Sequence, residues 1–129
     1  MRRLPGGSPF ERDASYVRAV RHHGFVAVSA TAATGEDGRA IHPGDAFAQA
    51  AEAIERALAA AAQLGAGRED VVRTRVYLAP EADWREVVRA HGAAFAGAPP
   101  ANTTVIVAGF VPEGVLVEVE LDAVVAGRE

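Results

Sequence analysis

The chain of 129 residues contains no cysteine and no lysine. Without cysteine there are no disulfides, thiolate nucleophiles, iron–sulfur clusters or thiolate-bound zinc. Without lysine there is no Schiff-base amine and no phosphate-loop lysine, and all 13 basic residues are arginine. Against 17 acidic residues the formal net charge is −4, with no basic run. That charge balance argues against a nucleic-acid partner on electrostatic grounds. Aromatic residues are scarce at 6%, yet half of the chain is apolar, far too much for disorder. The 29 alanines make the expected core one of small side chains. A chain of this size buries roughly two-thirds of its unfolded surface, and oligomerisation would add to that. Long apolar runs are also missing. The most apolar stretch, residues 57–62, falls well short of the roughly 20 residues that span a bilayer, and no apolar signal core follows Met1-Arg2-Arg3. The expectation is a single cytoplasmic domain over 1–129, with a loose lead-in at 1–13 and no membrane partner.

What is present reads as alternating strands and helices. Residues 16–23 alternate weakly between apolar and polar, Gly24 turns the chain, and residues 25–31 form a second strand, so the two make a hairpin. Residues 34–44, rich in Gly, Asp and Glu, read as a loop. Asp45 is placed to cap a helix whose apolar face is Phe47, Ala50, Ala51, Ile54, Leu58, Ala61 and Leu64, and Gly65 ends it. Residues 70–78 read as a strand with Arg73 and Arg75 on one face. Trp84, Val87, Val88, His91 and Phe95 recur at helical spacing within 81–96. Residues 97–100 are a rigid linker, 103–110 a β-branched strand, 112–114 a turn, and 115–122 the clearest period-2 alternation in the chain. The order ββαβαββ predicts an α+β sandwich, one mixed β-sheet with two helices on one face. A six-stranded sheet would draw another strand from the lead-in or the loop. The second sheet face must be covered, and partner subunits would do so.

Chemistry-bearing residues are few. His22 and His23 are adjacent on an expected strand, so they point to opposite faces and share no metal site. His42 falls in a loop and His91 stands alone on the second helix. No HExxH, helical His pair or carboxylate–His cluster appears, and neither a metal nor a cofactor is expected. Ser29 lies in a strand with no nucleophile-elbow sequence around it. Glu118 and Glu120 share one strand face. They either pair with Arg73 and Arg75 or, drawn into a cleft, serve as acid or base. Asn102, Thr103 and Thr104 follow Pro-Pro-Ala at a strand entry, where they either satisfy the turn backbone or line a pocket mouth.

Several local matches accumulate in order: Tyr16-Val17-Arg18, Phe25 to Ser29, the helix from Asp45 to Leu64-Gly65-Ala66, and Asp70 to Tyr77. Asp83-Trp84, Arg89 to Phe95, Pro100-Ala101 and Val117-Glu118-Val119-Glu120 complete the set. Over about residues 10–125 the chain resembles the RidA family, also called YjgF or endoribonuclease L-PSP. The resemblance implies a chorismate-mutase-like fold and a homotrimer with barrel-like central packing. It also implies small-molecule clefts between subunits and hydrolysis of reactive imines and enamines such as 2-aminoacrylate. The family's deaminases carry an Arg directly after Pro-Ala to grip the substrate carboxylate in two-pronged fashion. Here that position is Asn102, the helix position that usually holds Asn is Val88, and the small residue on the following strand is Thr104. Tyr16, Ser29 and Glu120 are retained, Glu120 matching the acidic residue associated with positioning water. The resemblance thus implies Glu120 as the catalytic group and Tyr16, Ser29, Val88, Asn102 and Thr104 as substrate-binding positions. The expected activity is on an imine, enamine or carbonyl compound other than 2-aminoacrylate, with a non-catalytic metabolite-binding trimer as the alternative.

Overall fold

A computed structural model describes residues 1–127. The elements are β1 (Arg2–Leu4), α1 (Pro9–Ala14), β2 (Ala19–His22), β3 (Phe25–Thr31), α2 (Ala46–Gln63), β4 (Val71–Leu78), α3 (Trp84–Ala94), β5 (Ala101–Ile106) and β6 (Val117–Val124). The six strands form one sheet in the order β1-β2-β3-β6-β4-β5. All pairings are antiparallel except β4 with β5, so the sheet is mixed as expected. No helix among the described residues is long and apolar enough to cross a membrane.

The lead-in is not loose. It supplies the sixth strand, β1, which pairs with β2, and a third helix, α1. Ser8 caps α1 by accepting from the Glu11 amide, and Pro9 opens the first turn, where its missing N–H leaves no bond unmade. The strand expected at 103–110 instead runs from Ala101 to Ile106, because the strand it pairs with, β4, ends at Leu78 opposite Ile106.

Alternation in β4 and β6 divides the sheet into two faces. Val76, Leu78, Val117, Val119 and Leu121 are buried beneath the helices. Arg75, Tyr77, Glu118, Glu120 and Asp122 stand on the opposite, open face. Asp45 caps α2 by accepting from Ala48 N at 3.0 Å. Four of its alanines, Ala50, Ala53, Ala57 and Ala61, are fully buried. Small side chains there let the helix backbone approach the sheet closely and bury it in apolar contact, at about 25 cal/mol per Å2 removed from water.

At its C-terminus α2 is tied to β2. The buried Arg21 guanidinium donates to Leu64 O at 2.8 Å and to His23 O at 2.7 Å, placing a cation where helix carbonyls lack partners. Gly65 is needed at this point: its φ is +91°, and a Cβ would lie 2.6 Å from Arg21 Nη1. Gly24 is needed for closeness, since a Cβ there would meet Val125 O at 2.6 Å. His23 occupies the hairpin turn with φ 54°, which brings the His22 and His23 rings to 4.2 Å between centroids, not to opposite faces. Among the described residues no group of three or more metal-ligating side chains converges.

Candidate active site

The open face carries a line of charge across β4 and β6. The registers set Arg75 opposite Glu120 and Tyr77 opposite Glu118. Tyr77 donates its hydroxyl to Glu120 Oε1 at 2.5 Å. Arg75 Nη1 reaches Glu120 Oε2 at 3.3 Å and Asp122 Oδ2 at 3.1 Å. The Glu120 carboxyl group is therefore oriented from two sides, in a geometry that can align a water or an N–H. The bond to Glu120, followed by burial, holds the Tyr77 phenol above its ordinary pKa and keeps it protonated. Pairing of carboxylates with Arg75 follows the cross-strand expectation. Arg73 instead donates to Thr103 Oγ1 at 3.2 Å.

Glu118 faces a different neighbour. Burial raises its carboxyl pKa above the ordinary value, and the positive charge of Arg18 pulls against that shift. Arg18 donates from Nη2 to Ala30 O at 2.8 Å, while its buried Nε has no hydrogen-bond partner among the described residues. A raised carboxyl pKa contributes stability that is present below the unfolded value and lost as pH rises through the folded one. Glu118→Gln is therefore expected to raise the melting temperature at pH 7, with the gain vanishing at about pH 3, where the glutamate is protonated in the folded and the unfolded chain alike. Thermal melts at the two pH values check this. A lower melting temperature at pH 7 would mean that attraction to Arg18 outweighs the burial cost.

Farther along the same open face, Tyr16 and Ser29 line a shallow cavity of about 510 Å3 with Met1, Arg3, Ser15, Val17 and Val20. Tyr16 is 43% exposed. Ser29 donates its hydroxyl to Val17 O at 2.7 Å, so toward the cavity it acts as an acceptor.

Asn102, Thr104 and Val88 lie elsewhere. The parallel register sets Asn102 beside Thr74 and Thr104 beside Val76, on the helix-bearing side of the edge strand β5. Thr104 Oγ1 donates to Asn102 Oδ1 at 2.9 Å, and Asn102 Nδ2 donates to Thr74 Oγ1 at 3.0 Å. Thr74, fully buried, also lies 2.8 Å from His91 Nε2 on α3. Burial lowers the His91 pKa and favours its neutral form. The Asn-Thr-Thr stretch thus lies within β5, with Asn102 and Thr103 bonded to Thr74 and Arg73 of β4 and Thr104 bonded to Asn102. Val88 is 53% exposed, and Trp84, one helical turn before it, is 48% exposed.

The structure therefore divides the expected site residues into two sets. Tyr16, Ser29 and Glu120 occupy the open face, while Val88, Asn102 and Thr104 sit around the β5–α3 edge on the other. Tyr77 and Thr74 are not singled out by the sequence reading, and His91 is set aside there as a lone histidine. Tyr77 shares the period-2 face of Arg75, a usable signal. Thr74 and His91 meet only through the packing of α3 on the sheet, which no local spacing reveals.

The endoribonuclease L-PSP family profile matches residues 8–125. Among solved structures, Rv2704 of Mycobacterium tuberculosis is described as a member of the highly conserved YjgF/YER057c/UK114 family. It matches with a TM-score of 0.84 and 38% identity, over 96% of this chain and 98% of that one. The Escherichia coli YjgF gene product matches with a TM-score of 0.75 and 25% identity, over 95% and 93% of the two chains. The Streptomyces coelicolor protein SCO2049 is 39% identical over 123 residues, covering 95% of this chain and 91% of its own. With this α+β fold and a match over nearly its whole length, the chain belongs to the RidA family, also known as YjgF or endoribonuclease L-PSP.

Proposed function

We propose that the chain assembles as a homotrimer of chorismate-mutase-like subunits and binds a small metabolite in clefts between copies. There it acts on an imine, enamine or carbonyl compound, and not as a standard 2-aminoacrylate deaminase. The observation that carries this reading is the placement of the two residue sets on opposite faces of one sheet. A single chain cannot bring them onto one ligand, whereas the open face of one copy can meet the β5–α3 edge of the next.

Two features support a neighbouring copy. All six residues of β5 are exposed, including Val105 and Ile106, and among the described residues its outer edge has no strand partner. The open face buries charged groups such as Glu118 only partly. In the assembled cleft Glu120, held by Tyr77 and Arg75, would orient water, and Tyr16 with Ser29 would shape the pocket. Arg75 is engaged by two carboxylates, so it is a poor replacement for the missing carboxylate clamp. No nucleic acid, cofactor or membrane is part of this reading.

The engagement of both Glu120 oxygens, by Tyr77 and Arg75, favours a second reading, a non-catalytic metabolite-binding trimer. Glu120→Gln separates the two: loss of turnover with binding retained supports catalysis, and no turnover in either protein supports binding alone. Light scattering tests the assembly, with an expected mass of about three times the 13.4 kDa of one chain. A monomer at micromolar concentration would contradict it.

A further inference from the structure

The hydrogen bonds around Thr74 have a direction. Asn102 Nδ2 donates to Thr74 Oγ1, so the Thr74 hydroxyl proton is free to point elsewhere, and His91 Nε2 is within 2.8 Å. A hydroxyl has one proton to give, and a neutral imidazole has one nitrogen to receive it. Donation from Thr74 to Nε2, with the imidazole proton on Nδ1, is the arrangement that uses both the Thr74 proton and the Nε2 lone pair. The Phe95 ring, 4.7 Å from the His91 ring between centroids, is an apolar neighbour that suits a neutral imidazole. At the other end Thr104 donates its only hydroxyl proton to Asn102 Oδ1.

The outward capacity of the chain follows. Thr104 Oγ1 keeps lone pairs and no proton, so it accepts. Asn102 keeps its second Nδ2–H, so it donates. Both residues are exposed at the β5 edge. A carboxylate offered to this pair would find one donor and one facing lone pair. A carboxamide would satisfy both, its C=O taking the Asn102 N–H and its N–H reaching Thr104.

We infer that His91, acting through Thr74, is a positioning residue that fixes Asn102 and Thr104 as a neutral donor–acceptor pair, and that this pair selects ligands bearing a carboxamide-like group over carboxylates. The substrate-class part rests on the intersubunit cleft proposed above. The inner bond direction does not, since all four residues belong to one chain.

The test uses the full-length protein labelled with 15N and the size-matched probes pyruvamide and pyruvate. In the spectrum of the free protein, His91 is expected to show an unprotonated Nε2 and a protonated Nδ1. A proton on Nε2 would overturn the bond direction. In titrations pyruvamide is expected to bind about tenfold more tightly than pyruvate, the difference made by one unmatched polar contact. Thr74→Val, which keeps the side-chain shape, is expected to bring that ratio to within about threefold, because Asn102 loses its inner acceptor. His91→Phe provides a second break in the chain, and is expected to act in the same direction. Equal affinities in the wild type, tighter binding of pyruvate, or a ratio unchanged in both variants would overturn the inference, as would failure of both probes to bind. The cleft reading is judged separately by the solution mass: a trimer that binds neither probe removes the substrate class alone, and a monomer removes the cleft.

Discussion

Gln49→Ala is expected to destabilise the fold by about 2–4 kcal/mol, enough to lower the melting temperature by roughly 10 °C or more in a chain of this length. Gln49 is fully buried on α2. Its Nε2 donates to His42 O at 3.2 Å and to Gly114 O at 3.1 Å, and its Oε1 accepts from Leu116 N at 2.9 Å. One side chain therefore satisfies three backbone groups from two loops that flank the helix. Alanine removes all three bonds; His42 O keeps its bond from Asp45 N, while Gly114 O and Leu116 N lose the partner that Gln49 gives them, the costly half of a lost hydrogen bond. Gln49→Leu fills the volume but restores no polar contact, so it should recover little. Urea or thermal unfolding measures both variants. A loss below about 0.5 kcal/mol would mean that water takes over these groups.

Asn102→Arg is expected to confer hydrolysis of 2-imino acids on a protein that accelerates it little. A guanidinium at this position offers two parallel N–H donors and a charge, worth about 2–4 kcal/mol against a carboxylate, or roughly a 30- to 1000-fold gain in kcat/KM. The position accepts the longer side chain because it lies exposed on an edge strand. Imino acids generated in place by an amino-acid oxidase, with loss followed by semicarbazide trapping, give the rates. A wild type already fast on these compounds would show that another group holds the carboxylate. A variant as inert as the wild type would place the missing contact at Val88 on α3.

The legible parts of this fold were those whose signal is local. Period-2 alternation marked β6, and the spacing of Phe47, Ala50, Ile54, Leu58 and Ala61 marked α2, because in both the burial face repeats within a few residues. The β1 strand was not legible. Arg2, Arg3 and Leu4 carry no alternation, and the strand exists through backbone pairing with β2. For α1 a signal was present in Ser8-Pro9 with Glu11 in the first turn, but six residues give no periodicity to confirm it. The end of β5 was misplaced because β-branched composition continues past Ile106, whereas the partner strand does not.

The site shows the same division. Glu120 was singled out from its strand face, and the structure adds the two groups that orient it, Tyr77 and Arg75. Asn102 and Thr104 stand out first by their place after Pro-Pro-Ala and then by family resemblance. Their inner partners depend on a parallel pairing between β4 and β5 and on α3 packing above it, contacts spanning 17 to 28 residues. A histidine such as His91, alone in sequence, acquires meaning only when the buried Thr74 is found beneath it.

A cleft shared between copies is tested most directly by placing a cysteine at each half, which this chain allows because it has none of its own. Ser29 on β3 and Thr104 on β5 are separated within one sheet by β6 and β4, three strand spacings or roughly 14 Å, and lie on opposite faces. A short bis-maleimide therefore bridges them only from one copy to the next. The Ser29→Cys, Thr104→Cys double variant is expected to give covalent dimers and trimers, while either single variant stays monomeric on a denaturing gel. Double-variant protein that remains uncrosslinked while both thiols react fully with monofunctional maleimide would contradict a site built from the facing halves of neighbouring chains.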